Sequence, residues 1–155
     1  MLAIIKSCDT KMRNYAEKIP LCAVSLAARL ALFMVFWKSV QTKINGLTIF
    51  DQHFAFWNVT DSAVLLFRFE YGLPLLDPKL AAYLATFGEF FLGLMLLMGL
   101  FTRFAAFGLL VMTLVIQIFV YPSAWSTHLL WAVGLLQLIR NGADPLSVDR
   151  LLRSR

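Results

Sequence analysis

Four stretches of the chain keep an apolar character over lengths that matter in a bilayer. Crossing about 30 Å of hydrocarbon takes about 20 apolar residues at 1.5 Å each. Residues 19–41 hold Arg29 as the one full charge before Lys38 near the outer end. Residues 79–101 hold Glu89 as the one charge beyond Lys79, and residues 103–121 hold none after Arg103. Residues 125–140 form a shorter stretch, with His128 near its start and Gln137 near its end. The pattern predicts an all-α integral membrane bundle of four transmembrane helices within residues 19–140.

Turn residues punctuate these spans where helices should start and stop. Pro20 and Pro78 fall in first turns, where a missing N–H costs little. Thr102 offers an N-cap between the second and third spans. Tyr121-Pro122-Ser123 ends the third, and Asn141-Gly142-Ala143-Asp144-Pro145 ends the fourth. Short connections make consecutive helices antiparallel neighbours. The first outer connection, residues 44–77, is too long to be structureless in a compact protein. Thr60-Asp61-Ser62 reads as a helix start, and Leu65, Leu66 and Phe69 share a face after it. A short amphipathic helix is therefore predicted in this loop, as a folded lid over the bundle or a substrate-binding loop.

Composition agrees with the patterning. Sixty per cent of the 155 residues are hydrophobic and only 15% are charged, with a mean hydropathy of +0.74. A soluble globule of this size has too little interior for that much apolar surface. Disorder, nucleic-acid binding and a disulfide-stapled secreted domain are excluded. The net charge of +5 matters less than where the cations lie. With the N-terminus in the cytoplasm, Lys6, Lys11, Arg13, Lys18, Arg103, Arg140, Arg150, Arg153 and Arg155 are inside, and only Lys43, Arg68 and Lys79 lie in outer loops. That bias needs the fourth span. It makes residues 1–18 a cytoplasmic tail and 141–155 a basic cytoplasmic tail. The charged N-terminal residues do not resemble a signal peptide, so the first span should stay in the mature protein.

Arg29 and Glu89 are the sharpest chemical features. Charge inside a membrane is costly and usually pairs or marks a pathway. Counted from the inner ends of their helices, both lie at a similar height. They are predicted to pair, either as a structural lock or as a proton or ligand site. A second, looser cluster comprises His53, Glu70 and His128 on the outer side. It lacks fixed ligand spacing, so no metal site is assigned. Lys38 and Lys43 read as snorkelling cations, and Gly88, Gly93, Gly99 and Gly108 as close-packing positions. Cys8 and Cys22 form no Cys-x-x-Cys, and no catalytic motif is present.

Several segments resemble the DoxX-like family of small bacterial membrane proteins. Arg29 through Lys43 is similar to that family's first span, with an intramembrane Arg and a Lys fourteen residues later. Gly88-Glu89 through Thr102-Arg103 is similar to its Glu-x-x-x-Gly followed by Gly-Leu-x-Thr-Arg, and Asp144 through Leu152 to its tail. The likeness covers roughly residues 21–152. Leu66 to Leu76 and Val115 to Pro122 resemble one branch, although Phe69 stands where that branch carries an acid.

The resemblance implies a four-helix, multi-pass inner-membrane protein of bacterial type, and the charge bias puts both its termini in the cytoplasm. The resemblance also implies an accessory or anchoring role in a membrane redox or metal-stress system. Quinone enters as a candidate cofactor through the resemblance only. Expected partners are the bilayer, a membrane-associated redox or peptide-modifying enzyme, and a second copy of the chain. The alternative is a small transporter using the Arg29 and Glu89 charges.

Overall fold

A computed structural model of the chain describes residues 2–72, 74, 76–142 and 146–153. Ala143, Asp144 and Pro145 of the predicted fourth stop, and Leu73 and Leu75 of the outer loop, lie outside the described residues. The elements in chain order are α1 (Leu2–Ala16), α2 (Leu21–Gln41), β1 (Thr48–Ile49), β2 (Gln52–His53), α3 (Asp61–Leu66), α4 (Pro78–Met98), α5 (Thr102–Val115), α6 (Trp125–Asn141) and α7 (Val148–Arg153). A π-helical turn, Phe67–Tyr71, continues α3, and a second, Ile116–Val120, continues α5.

Helices α2, α4, α5 and α6 form a closed ring, each packed on the next and α6 returning to α2. Leu32, Phe36, Leu96, Leu109, Leu135 and Leu138 fill its centre. Gly108 lets α5 sit close on α4: a Cβ there would lie 2.6 Å from Leu92 Cδ1, whereas one at Gly93 would meet Phe33 and Phe36 only at the ordinary contact distances of 3.8 and 4.0 Å. Many large apolar side chains remain on the outer surface, among them Leu84, Phe107, Leu114 and Val133. That is the surface of a protein whose solvent is lipid. Three helices, Leu21–Gln41, Pro78–Met98 and Thr102–Val120, are long and apolar enough to cross a membrane. The 17-residue α6 falls short of that measure although it completes the ring.

Caps explain the helix boundaries. Asp77 accepts from the Lys79 and Leu80 backbone N–H groups at 3.0 and 3.2 Å, with Pro78 opening α4 behind it. Gly99 closes α4 in the left-handed conformation at φ 67°. The start of α5 departs from expectation. Thr102 is its first helical residue rather than its cap. The cap comes from Asp149, which accepts from the Phe101 and Thr102 N–H groups and the Thr102 hydroxyl at 2.7, 2.9 and 3.0 Å. The C-terminal segment is therefore a working part of the bundle's end, and the N-terminal segment is helical.

The connection between α2 and α4 is a folded lid. Thr60 caps α3 by accepting from the Ala63 N–H at 3.2 Å. Ala63, Phe67 and Val59 bury against Ala81 and Ala82 of α4. A two-residue hairpin, absent from the all-helical expectation, precedes it with Thr48 opposite His53. Gln41 holds it down at the end of α2, donating to the His53 carbonyl at 3.0 Å and accepting from the His53 N–H at 2.6 Å. Phe56 packs against Phe87, Phe90 and Phe91 of α4.

Candidate functional site

Within the ring, the helix register decides which charges meet. Ser39 donates to Glu89 at 3.1 Å, Gly93 faces Phe33 and Phe36, and Gly99 sits beside the guanidinium of Arg29. Antiparallel α2 and α4 are thus aligned with Ser39 opposite Glu89 and Arg29 opposite Gly99. Glu89 and Gly99 are ten residues apart in α4, roughly 15 Å at 1.5 Å per residue. Arg29 and Glu89 therefore do not form the expected pair. The expectation matched the inner ends of the two helices, but α2 runs about two turns deeper than α4, and that offset separates the charges.

The partner of Glu89 is Lys43. Its Nζ lies 2.7 Å from Glu89 Oε2, with the two side chains 4% and 3% exposed. Ser39 bridges them, accepting from Lys43 Nζ at 2.6 Å while donating to Glu89 Oε1. Lys43 also donates to the Ser39 carbonyl at 3.3 Å. Ser39 and Lys43 are one turn apart, which puts both on the α4-facing side of the chain. Lys43 is buried rather than snorkelling because the lid folds over it: the Thr60 N–H donates to its carbonyl at 2.9 Å, and Ile44 pairs with Val59. Lys38, by contrast, is exposed.

Arg29 is also buried, 1% exposed, at the opposite end of the bundle. It donates to the Leu146 carbonyl at 2.7 Å. Its Nε and Nη1, and the neighbouring Ser25 hydroxyl, have no hydrogen-bond partner among the described residues.

The looser cluster divides. His53 stays in the hairpin, with Nδ1 3.1 Å from the Gly46 carbonyl and 3.2 Å from Thr48 Oγ1. Glu70 accepts from the Tyr121 hydroxyl. His128 Nδ1 lies 2.7 Å from Gln117 Oε1. No group of three His, Cys, Asp or Glu side chains able to hold a metal occurs among the described residues. Gln117 is the site residue that sequence reasoning passed over. The π turn from Ile116 to Val120 is what distinguishes it: Gln117 points inward, 3% exposed, while Ile118 points out.

Two cavities meet at Glu89. A cavity of about 380 Å³ lies between α4 and α5, roofed by Phe67 and Tyr71 and bordered by Leu84 and Val111 on the outer surface. Its walls are almost wholly apolar. A smaller one, about 160 Å³, is walled by Phe36, Ser39, Tyr121, His128 and Trp131. Tyr71, Glu89 and Ile116 border both. The Tyr71 phenol is pushed up to about 12, chiefly by burial and then by the nearby negative charge of Glu89, so it stays protonated as a donor.

The arrangement offers an apolar slot open toward lipid, ending at a neutralised ion pair and a small chamber of mixed polar and apolar lining. The family model described as DoxX matches residues 24–122 of the chain, which includes most of α2, the lid, α4, α5 and the π turn that carries Gln117. Neither a curated protein nor a solved structure matches the chain.

Proposed function

The chain belongs to the DoxX family, and from that footing we propose that it is an accessory subunit of a membrane redox or metal-stress system, its bundle holding a lipid-soluble, ring-bearing ligand of the quinone class beside Lys43 and Glu89. The observation that carries this reading is the position of the ion pair: Glu89, buried in a candidate span, borders two cavities of contrasting character.

Volume and chemistry fit the ligand class. A buried apolar cavity of about 150 Å³ holds one benzene ring, so the chamber of about 160 Å³ has room for one ring. The larger, apolar cavity suits a hydrocarbon tail. Tyr71 and His128 supply hydrogen-bonding groups at the ring end, and the open side between Leu84 and Val111 suits access from lipid. Such a ligand would supply electron transfer when bound; the chain's own residues orient it and keep water away. Residues 19–140 are read as four spans with both termini cytoplasmic, because α6 closes the ring and a length of roughly 26 Å suffices where the bilayer thins. The transporter reading has no observation in its favour, since the Arg29 and Glu89 charges on which it rested lie apart.

Purification in mild detergent followed by solvent extraction and mass spectrometry tests this. A near-stoichiometric ring-bearing lipid should accompany the wild type and be lost from Ala85→Phe, which fills the larger cavity. Equal recovery from both proteins would refute the site.

A further inference from the structure

The small chamber carries a directional hydrogen-bond code that can be read from one amide. Gln117 Nε2 donates to the Pro122 carbonyl at 2.8 Å. A carbonyl oxygen can only accept, so this contact fixes which end of the amide is nitrogen. The other end, Oε1, then faces His128 Nδ1 at 2.7 Å, and it too can only accept. His128 must therefore carry its proton on Nδ1. In neutral imidazole the second nitrogen, Nε2, is then an acceptor with a free lone pair. No described residue donates to it, and the His128 side chain forms part of the chamber wall.

From this geometry we infer that the chamber recognises its ligand through a donating hydroxyl, selecting a phenol or hydroquinone head over the corresponding carbonyl form, with His128 Nε2 as the acceptor and Gln117 as the positioning residue that holds the tautomer. The inference rests on the ligand-site reading above and gives it a chemical sign. The other walls are consistent with it. Glu89 is engaged by Lys43 and Ser39, and Tyr121 by Glu70. Trp131, its ring 5.0 Å from that of His128, adds an aromatic face. A hydroxyl oxygen can accept from Tyr71 while its proton goes to His128; a quinone carbonyl can do only the first.

Binding of two redox-inert probes separates the possibilities. Para-heptylphenol and para-heptylfluorobenzene have nearly the same size, and only the phenol donates. Each is titrated into the full chain in lipid nanodiscs, with partition into empty nanodiscs subtracted. The phenol should bind about five- to tenfold tighter, the usual worth of one hydrogen bond. In His128→Leu the preference should vanish, with fluorobenzene affinity unchanged. In Gln117→Leu it should shrink, because the imidazole is free to move its proton. Two equal affinities in the wild type would overturn the hydroxyl code while leaving the site. A preference that survives His128→Leu would overturn the role of His128. No saturable binding of either probe would overturn the site itself, and the code with it.

Discussion

Removing Lys43 should leave Glu89 as a buried carboxylate stripped of its counter-ion. In the intact protein Lys43 Nζ makes contacts of 2.7 Å to Glu89, 2.6 Å to the Ser39 hydroxyl and 3.3 Å to the Ser39 carbonyl. Lys43→Met keeps an apolar side chain of similar length and deletes the ammonium together with these three contacts. Breaking a buried pair in this way costs about 3–5 kcal/mol. Glu89→Gln should cost less, about 1.5–3 kcal/mol, because the amide oxygen can still accept from Lys43. The double variant holds a neutral amide beside an apolar side chain, so it should lose less than the sum. The expected coupling exceeds about 2 kcal/mol, well above the roughly 0.5 kcal/mol of independent sites. Arg29→Met combined with Glu89→Gln supplies the contrast, with coupling below about 0.5 kcal/mol. Equilibrium unfolding of these variants in mixed micelles measures both cycles. If Arg29 couples to Glu89 and Lys43 does not, the register derived from Ser39 opposite Glu89 is refuted.

Other perturbations probe the ends of the bundle. Asp149→Ala removes three acceptor contacts at the start of α5 and should destabilise by about 1–2 kcal/mol, read as a lower detergent unfolding midpoint, with Asp149→Asn recovering part of it. Gly99→Ala forces an alanine to φ 67° and brings its Cβ into the Arg29 guanidinium and to 2.6 Å from Ser147 Cβ; it should cost more than about 1 kcal/mol, and Arg29→Met should relieve part of that cost. Tyr71, an acid whose folded value is raised from 10.0 to about 12, holds its proton more tightly folded than unfolded. Its contribution to stability is complete below pH 10 and lost as pH rises toward 12, so Tyr71→Phe should flatten the alkaline fall in unfolding midpoint.

How far these features could be read from the chain alone depends on their range. Local chemistry was legible: Pro78 in a first turn and Thr60 before Asp61 mark helix starts whatever surrounds them. The cap on α5 was not, because Asp149 lies 48 residues from Phe101 in sequence. The partner of Glu89 turned on the vertical offset between two apolar helices, and apolar stretches carry almost no register information. One signal was available. Ser39 and Lys43, one turn apart, repeat polarity on the side of the chain that also carries Phe36 and Val40 of the core. Lys43 read as a surface cation because nothing in its neighbourhood shows that the loop from Ile44 to Val59 folds back over it. Gln117 looked like a lone polar residue. Its meaning depends on a π turn and on His128 from the next helix, neither of which a periodicity of 3.6 predicts.

A ring-bearing ligand in the space beside Glu89 can be located directly. A photoreactive alkylphenol, carrying a diazirine next to the ring, can be irradiated with the protein in nanodiscs and its adducts mapped by peptide mass spectrometry. Saturable labelling is expected only at residues that line the two cavities, among them Phe36, Tyr71, Glu89, Ile116, Tyr121 and His128, and is abolished by excess unlabelled phenol and by Ala85→Phe. Labelling spread without saturation over the outward-facing residues of α2, α5 and α6, and unchanged in Ala85→Phe, would contradict it.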